Sequence, residues 1–288
     1  MAGLDRNIQL EFHMLSNYLP RRTYTVATSY EKGDIIALVG AAEINNDNTI
    51  KLTFPKINPF RNHNTITLHL DNRTGVESLN ADLRVYRCSY KGSIIESGEY
   101  TALVAPLEYK LIYSTDVVEQ FKSPVFQNSE DLRPEYELQE SELNELSLVD
   151  DKEHSNKLGV LITKSIDLPH TTVMSFLSTT VDDIFLITMK GYRKSHNLHC
   201  DPTCCFAIDH RATYLFEKAY DWNYTIIKGR AYQISKENPL FAVIQRKFIE
   251  KNPWELVFFS SPDIEMLHIQ PTEIICPEKI KRRMGACQ

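Results

Sequence analysis

Thr188, Lys190, Tyr192, Arg193 and Lys194 lie within one short stretch and carry the strongest chemical signal in the chain. Ile184-Phe-Leu-Ile-Thr-Met189 reads as a short apolar strand, Lys190-Gly-Tyr-Arg-Lys194 as a cationic turn, and Ser195-His-Asn-Leu198 as the opening of a helix. Such a turn can hold a phosphate: guanidinium and ammonium groups neutralise its charge, while free backbone N–H groups at a helix start point at its oxygens. A solvated basic surface is the plainer alternative for the same residues.

A strand and a helix must present that turn, and the flanking sequence supplies both. Gly159-Val-Leu-Ile-Thr163 and Thr171-Thr-Val-Met-Ser-Phe-Leu177 read as two strands joined across Asp167-Leu-Pro-His170, and Ile184 to Met189 is the third. The helix runs from Lys194 to about Cys200, where Asp201-Pro202 stops it. Thr203 to Asp209 and Tyr224 to Gln233 continue the sheet. Pro239 to Glu250 has helical periodicity, and Leu256-Val-Phe-Phe259 and Ile264 to Ile269 read as closing strands.

Ahead of this unit, residues 1–125 are strand-like throughout. Thr23–Thr28, Ile35–Gly40, Thr49–Phe54, Thr65–Leu70, Leu83–Cys88 and Tyr109–Tyr113 alternate with turn formers such as Glu31-Lys-Gly-Asp34 and Asn45-Asn-Asp-Asn48. That spacing predicts an antiparallel sandwich or barrel of unassigned role. Residues 126–157 turn acidic and polar, and Leu138, Leu143, Leu146 and Leu148 suggest an amphipathic helix within a linker. Residues 158–288 form the second folded unit, giving a mostly β chain with flanking helices.

The chain of 288 residues carries a net charge of −6, which argues against a general nucleic-acid binder. No apolar run is long enough to span a bilayer, and Met1-Ala-Gly-Leu-Asp-Arg6 lacks the apolar core of a secretory signal. With six unevenly spaced cysteines, the expectation is a reduced, cytoplasmic protein. His196, His199, Cys200, Cys204, Cys205 and His210 invite a metal reading. Strand alternation would send Cys204 and Cys205 to opposite faces, so structural cysteines and no metal site are expected. No Ser/His/Asp or Cys/His set has a local signature, and hydrolase chemistry is not expected.

In order, these elements resemble the pyridoxamine 5′-phosphate oxidase-like, FMN-binding split β-barrel family. The resemblance rests on Gly159–Thr163, Leu168-Pro169, Val173–Leu177, Leu186–Leu198, Asp201-Pro202 and the stretch Trp222–Ala231, roughly Leu143 to Pro277 in all. It implies a C-terminal split barrel working as a homodimer, with FMN sites at the subunit interface. By that resemblance Arg193 and Lys194 would grip the FMN phosphate, with Lys190 and Tyr192 in the same turn and Thr188 donating a hydroxyl nearby. The backbone of Val173, Met174 and Ser175 would follow the ring edge, Asn197 would orient the helix start, and Tyr224 would face the flavin from the partner subunit. Flavin-dependent redox chemistry on a small molecule is the implied activity.

Departures from the pattern qualify this. Thr172 stands where the oxidase has arginine, and Tyr224 where it has a flavin-contacting glutamine. The oxidase's substrate-binding tryptophan and arginine have no match in Asp263 to Pro271. Oxidation of pyridoxamine phosphate itself is therefore not expected. The competing expectation is a non-catalytic FMN or haem binder, with His170 or His268 as candidate haem ligands, or a dimerisation module serving residues 1–125.

Overall fold

A computed structural model describes residues 14–73, 85–151, 156–209 and 224–276. The chain builds two seven-stranded antiparallel sheets. The first contains β1 (Arg22–Glu31), β2 (Asp34–Ile44), β3 (Ile50–Thr53), β4 (Thr65–Asp71), β5 (Tyr86–Ser97), β6 (Thr101–Tyr113) and β7 (Asp116–Lys122), in the order β3-β2-β1-β4-β5-β6-β7. Pairing of β3 with β6 closes the first six strands into a barrel. The β1–β2 hairpin turns on Lys32 and Gly33, both at positive φ (52° and 86°), the two-residue geometry whose twist matches the flanking strands.

The second sheet contains β8 (Leu158–Thr163), β9 (His170–Ser175), β10 (Leu177–Ser178), β11 (Ile184–Met189), β12 (Thr203–Asp209), β13 (Tyr224–Ile234) and β14 (Ile264–Ile275). Its order is β10-β11-β14-β13-β12-β8-β9, a curled half-barrel. Helix α1 (Arg193–Cys200) follows β11, and α2 (Leu240–Lys251) follows β13. The expected C-terminal split barrel and N-terminal antiparallel β unit are thus both present. Among the described residues no helix is long and apolar enough to cross a membrane.

The apolar run Ile35-Ile-Ala-Leu-Val has no polar alternation because both faces of β2 are covered. Leu38, Ala42 and Ile44 point into the barrel core with Phe60, Leu68 and Tyr90. Ile35, Ala37 and Val39 join Tyr24 and Val26 of β1 on the outer face, packed on Leu158, Val160, Ile162, Ala207, Tyr224 and Ile226 of the second sheet. Each valine, leucine or isoleucine among them stabilises the union by about 1.5–3 kcal/mol when withdrawn from water. Polar links add direction to this apolar joint. The Tyr30 hydroxyl donates to the Ser165 carbonyl at 2.6 Å and accepts from the Ser165 N–H at 2.8 Å. Buried Arg73 pairs with Asp209 across the joint at 2.7 Å.

Two expectations need correction. Residues 123–150 contain no helix. They form an extended strap over the second sheet, anchored where the Ser141 N–H donates to the Gln233 carbonyl and the Gln233 N–H to Gln139. Leu138, Leu143 and Leu146 still bury apolar surface there, against clusters that include Phe206 and Phe185. Ladder-like bonds to β13 and β10 satisfy the backbone instead of helical ones. Leu256–Phe259 is likewise not a strand but part of a 3₁₀ helix, Pro253–Ser260, with proline at its start. Proline's fixed φ suits that first position. The stretches at 83–84, 210 and 220–223, Cys287 and the basic tail lie outside the described residues.

Candidate functional site

The Lys190–Lys194 turn sits at a cavity between the two sheets. Gly191 adopts φ +82°, which lets the chain reverse between β11 and α1 without the strain a side chain would bring. The Lys190 N–H is held by the Asp263 carbonyl at 2.9 Å, and Tyr192 precedes the first helical residue. Arg193 and Lys194 thereby stand in the first turn of α1 and line the cavity with Tyr192. Lys190 is exposed and lies outside it.

The cavity has a volume of about 830 Å³. One wall is His170, Thr171, Thr172 and Val173 of β9 together with the turn; the other is the outer face of β5, β6 and β7. Strand alternation builds the second wall. Cys88 and Tyr90 point into the barrel core while Arg87, Ser89 and Lys91 face outward. Register then places Lys91, Glu108 and Lys122 side by side on adjacent strands, next to the row Ser89, Lys110 and Gln120. Among the described residues, six cationic side chains (Arg87, Lys91, Lys110, Lys122, Arg193, Lys194) line the space against a single carboxylate, Glu108. This concentration stands out in a chain of net charge −6.

A smaller chamber of about 190 Å³ adjoins it, sharing Val173, Tyr192 and Lys194. It is mostly apolar: Leu158, Met174, Ile187, Met189, Trp254 and Phe258 line it, with Ser175, Thr188 and Glu255 as polar members. Trp254 Nε1 donates to Ser175 Oγ at 3.3 Å, and Ser175 Oγ donates to Glu255 Oε1 at 2.6 Å. Strand β9 ends its sheet, and among the described residues it pairs with β8 alone, so one backbone edge of Val173–Ser175 makes no ladder bond there. Buried Thr188 and Thr171 line the small and large chambers respectively, and their hydroxyls have no hydrogen-bond partner among the described residues.

The electrostatics follow from this enclosure. Burial pulls the Lys194 ammonium down to about 8; Glu255 opposes that shift and Arg87 adds to it. Burial, then the charges of Arg193 and Lys194, holds His170 down at about 3, a neutral imidazole at ordinary pH. Burial raises the Glu255 carboxyl despite its bonds to Ser175 and Trp254. The Lys194 ammonium also lies 4.7 Å over the Tyr192 ring, a cation–π contact.

No family model matches the chain, and no curated protein matches it. Solved structures similar to it cover about two-fifths of its length. One is a protein of unknown function from Agrobacterium tumefaciens: 15% identity, TM-score 0.36, 42% of this chain and 51% of that one, so the match spans about half of that relative. HutZ, the haem storage protein of Vibrio cholerae, is similar at 15% identity and TM-score 0.36 over 43% of this chain and 90% of its own. A candidate pyridoxamine 5′-phosphate oxidase from Listeria innocua is similar at 20% identity and TM-score 0.31, over 42% of this chain and 87% of its own. Identities in this range bear on fold alone, and TM-scores of this size carry no functional weight.

Of the residues singled out by sequence, Val173, Met174, Ser175, Thr188, Tyr192, Arg193 and Lys194 surround the two chambers. Asn197 lies outside them: its amide donates to Thr163 Oγ1 at 2.9 Å and its carbonyl accepts from Arg133 at 3.2 Å, tying α1 to β8 and the strap. Tyr224 is also outside, buried in the joint between the sheets. Cys204 and Cys205 do point to opposite faces, into separate cores.

Sequence reading missed the wall from β5–β7, whose alternating cations look like an ordinary solvated strand face. It also missed a Ser141–His268–Asp183 chain, with Ser141 Oγ 2.9 Å from His268 Nδ1 and His268 Nε2 2.9 Å from Asp183. All three are buried and lie outside both chambers, so this set clamps the strap to β14.

Proposed function

We propose that this protein binds a phosphate-bearing ring cofactor, flavin mononucleotide foremost, in the paired chambers, and uses it for redox chemistry on a small molecule. The observation that carries this reading is the junction itself: a cationic cavity opening onto an apolar chamber, with Lys194 and Tyr192 shared between them. Arg193 and Lys194 would hold the phosphate through charge-assisted bonds. Met174, Ile187, Met189 and Trp254 would enclose the ring, and the free edge of β9 would meet its polar rim. The residues fit such a ligand: Thr171 and Thr188 line the same chambers, and their buried hydroxyls have no partner among the described residues.

When bound, a flavin supplies hydride transfer. The protein's part is to position it, keep water from it and manage charge. Glu255 lines the chamber that would enclose the ring, accepts from Ser175 there, and has its carboxyl shifted upward by burial. Both walls of the large cavity come from one chain.

A second reading rests on His170. Its neutral imidazole lines the cationic cavity and is the form that ligates haem iron, while the cations would suit haem carboxylates. A visible spectrum of the purified protein, before and after adding FMN, separates the two. Flavin absorbance retained through desalting supports the first reading, and a Soret band the second. A colourless protein that takes up neither cofactor overturns both.

A further inference from the structure

We infer that the outer face of β5–β7 is a second anion subsite, facing the Arg193–Lys194 grip across the large cavity and serving a further phosphate or carboxylate. The inference rests on the proposed function for its first subsite and goes beyond it by giving the N-terminal barrel a direct role in binding. A single phosphate needs only the cations at the start of α1. Arg87, Lys91, Lys110 and Lys122 form a separate set on another sheet.

These charges are poorly compensated at home. Glu108 pairs with Lys91 at 2.8 Å, accepts from the Asn128 amide at 3.0 Å and also feels the charge of Lys122, so one carboxylate serves two of the cations. Lys110 and Lys122 make no ion pair among the described residues. The Arg87 guanidinium donates to the Ser114 carbonyl and feels Asp71, but its Nε is buried without an acceptor among the described residues, and burial lowers its affinity for its proton. On the opposite wall, Thr171 is buried and its hydroxyl is unpartnered among the described residues. Like charges gathered on one face repel, and an anionic guest between the walls relieves that repulsion.

Polarity along the site indicates how that guest lies. With the ring in the apolar chamber and the first phosphate at the junction, the ligand's tail runs into the large cavity toward β5–β7. A tail bearing a second anionic group, such as the pyrophosphate of a dinucleotide, would reach the second wall; a separate anion bound beside a mononucleotide is the other source of the same chemistry.

The test is calorimetric titration of the full chain with FMN, with FAD, and with pyrophosphate added to the FMN complex. It compares wild type with the double reversal Lys110→Glu/Lys122→Glu, both exposed positions. The expected result is that the reversal weakens FAD at least tenfold more than FMN, which assigns the subsite to a dinucleotide tail. Loss of pyrophosphate binding with no FAD-specific change also supports the subsite and assigns it to a separate anion. If the reversal leaves both FAD and pyrophosphate affinity unchanged while FMN still binds, the second subsite is wrong and the flavin reading stands. If wild type binds neither flavin, the proposed function fails, and pyrophosphate titration of the free protein alone decides the subsite: binding that the reversal removes supports it, and no binding overturns it.

Discussion

Lys194 lines both chambers while Glu255 lines only the small one, and their charges act on each other there. Burial leaves Lys194 titrating at about 8 rather than in the usual lysine range. The charged form is what grips a phosphate, so FMN affinity should fall as pH rises through that region, by up to about tenfold per pH unit above it. For folding the sign is opposite. The unfolded chain keeps its proton up to about 10.4. It therefore binds more protons than the native state between about 8 and that value, and this group's contribution to stability rises with pH there. Lys194→Arg, which stays charged, should flatten the affinity profile between pH 7 and 9 in fluorescence titrations. An equally steep profile in the variant would assign the titration to another group.

Thr188 offers a test of whether its hydroxyl serves a ligand or is simply stranded. Thr188→Val keeps the shape and removes a buried group that has no partner among the described residues. The free protein should gain up to about 1 kcal/mol in urea unfolding, since an unsatisfied polar group is lost. FMN binding should weaken about fivefold or more, the net worth of one hydrogen bond. Gain in stability with no loss of affinity would remove Thr188 from the site.

Much of the second sheet was legible from residue order alone. Ile184–Met189 and Thr203–Asp209 run between unmistakable turns, and both form strands with those limits. The cationic turn was visible because its charges are adjacent in sequence. The opposite wall was not, because Arg87, Lys91, Lys110 and Lys122 come together only through strand register. Single strands with outward lysines look alike whether they face water or a cavity. The acidic strap misled for a related reason: Leu138, Leu143 and Leu146 bury themselves against a sheet whose edge also offers backbone partners, and nothing in leucine spacing reports that.

Arg73 tests the joint that holds the two walls apart at a fixed distance. It pairs with Asp209 at 2.7 Å and Asp71 at 3.4 Å, all buried. Arg73→Met removes the buried cation that links Asp71 to Asp209 and should cost about 3–5 kcal/mol in urea unfolding. Arg73→Met/Asp209→Leu should recover part of that loss, since a buried pair replaced on both sides by apolar groups is often near neutral. A single variant as stable as wild type would show that the pair does not hold the joint.

Binding at the start of α1 is the central claim, and a fluorescence-quenching titration of FMN against Arg193→Ala/Lys194→Ala tests it most directly. Removing two charge-assisted bonds worth about 1.5–3 kcal/mol each should raise the Kd at least about 100-fold. The melting temperature should stay within a few degrees of wild type, because Arg193 is exposed and Lys194 is only half-buried. An FMN affinity equal to that of wild type would contradict the account.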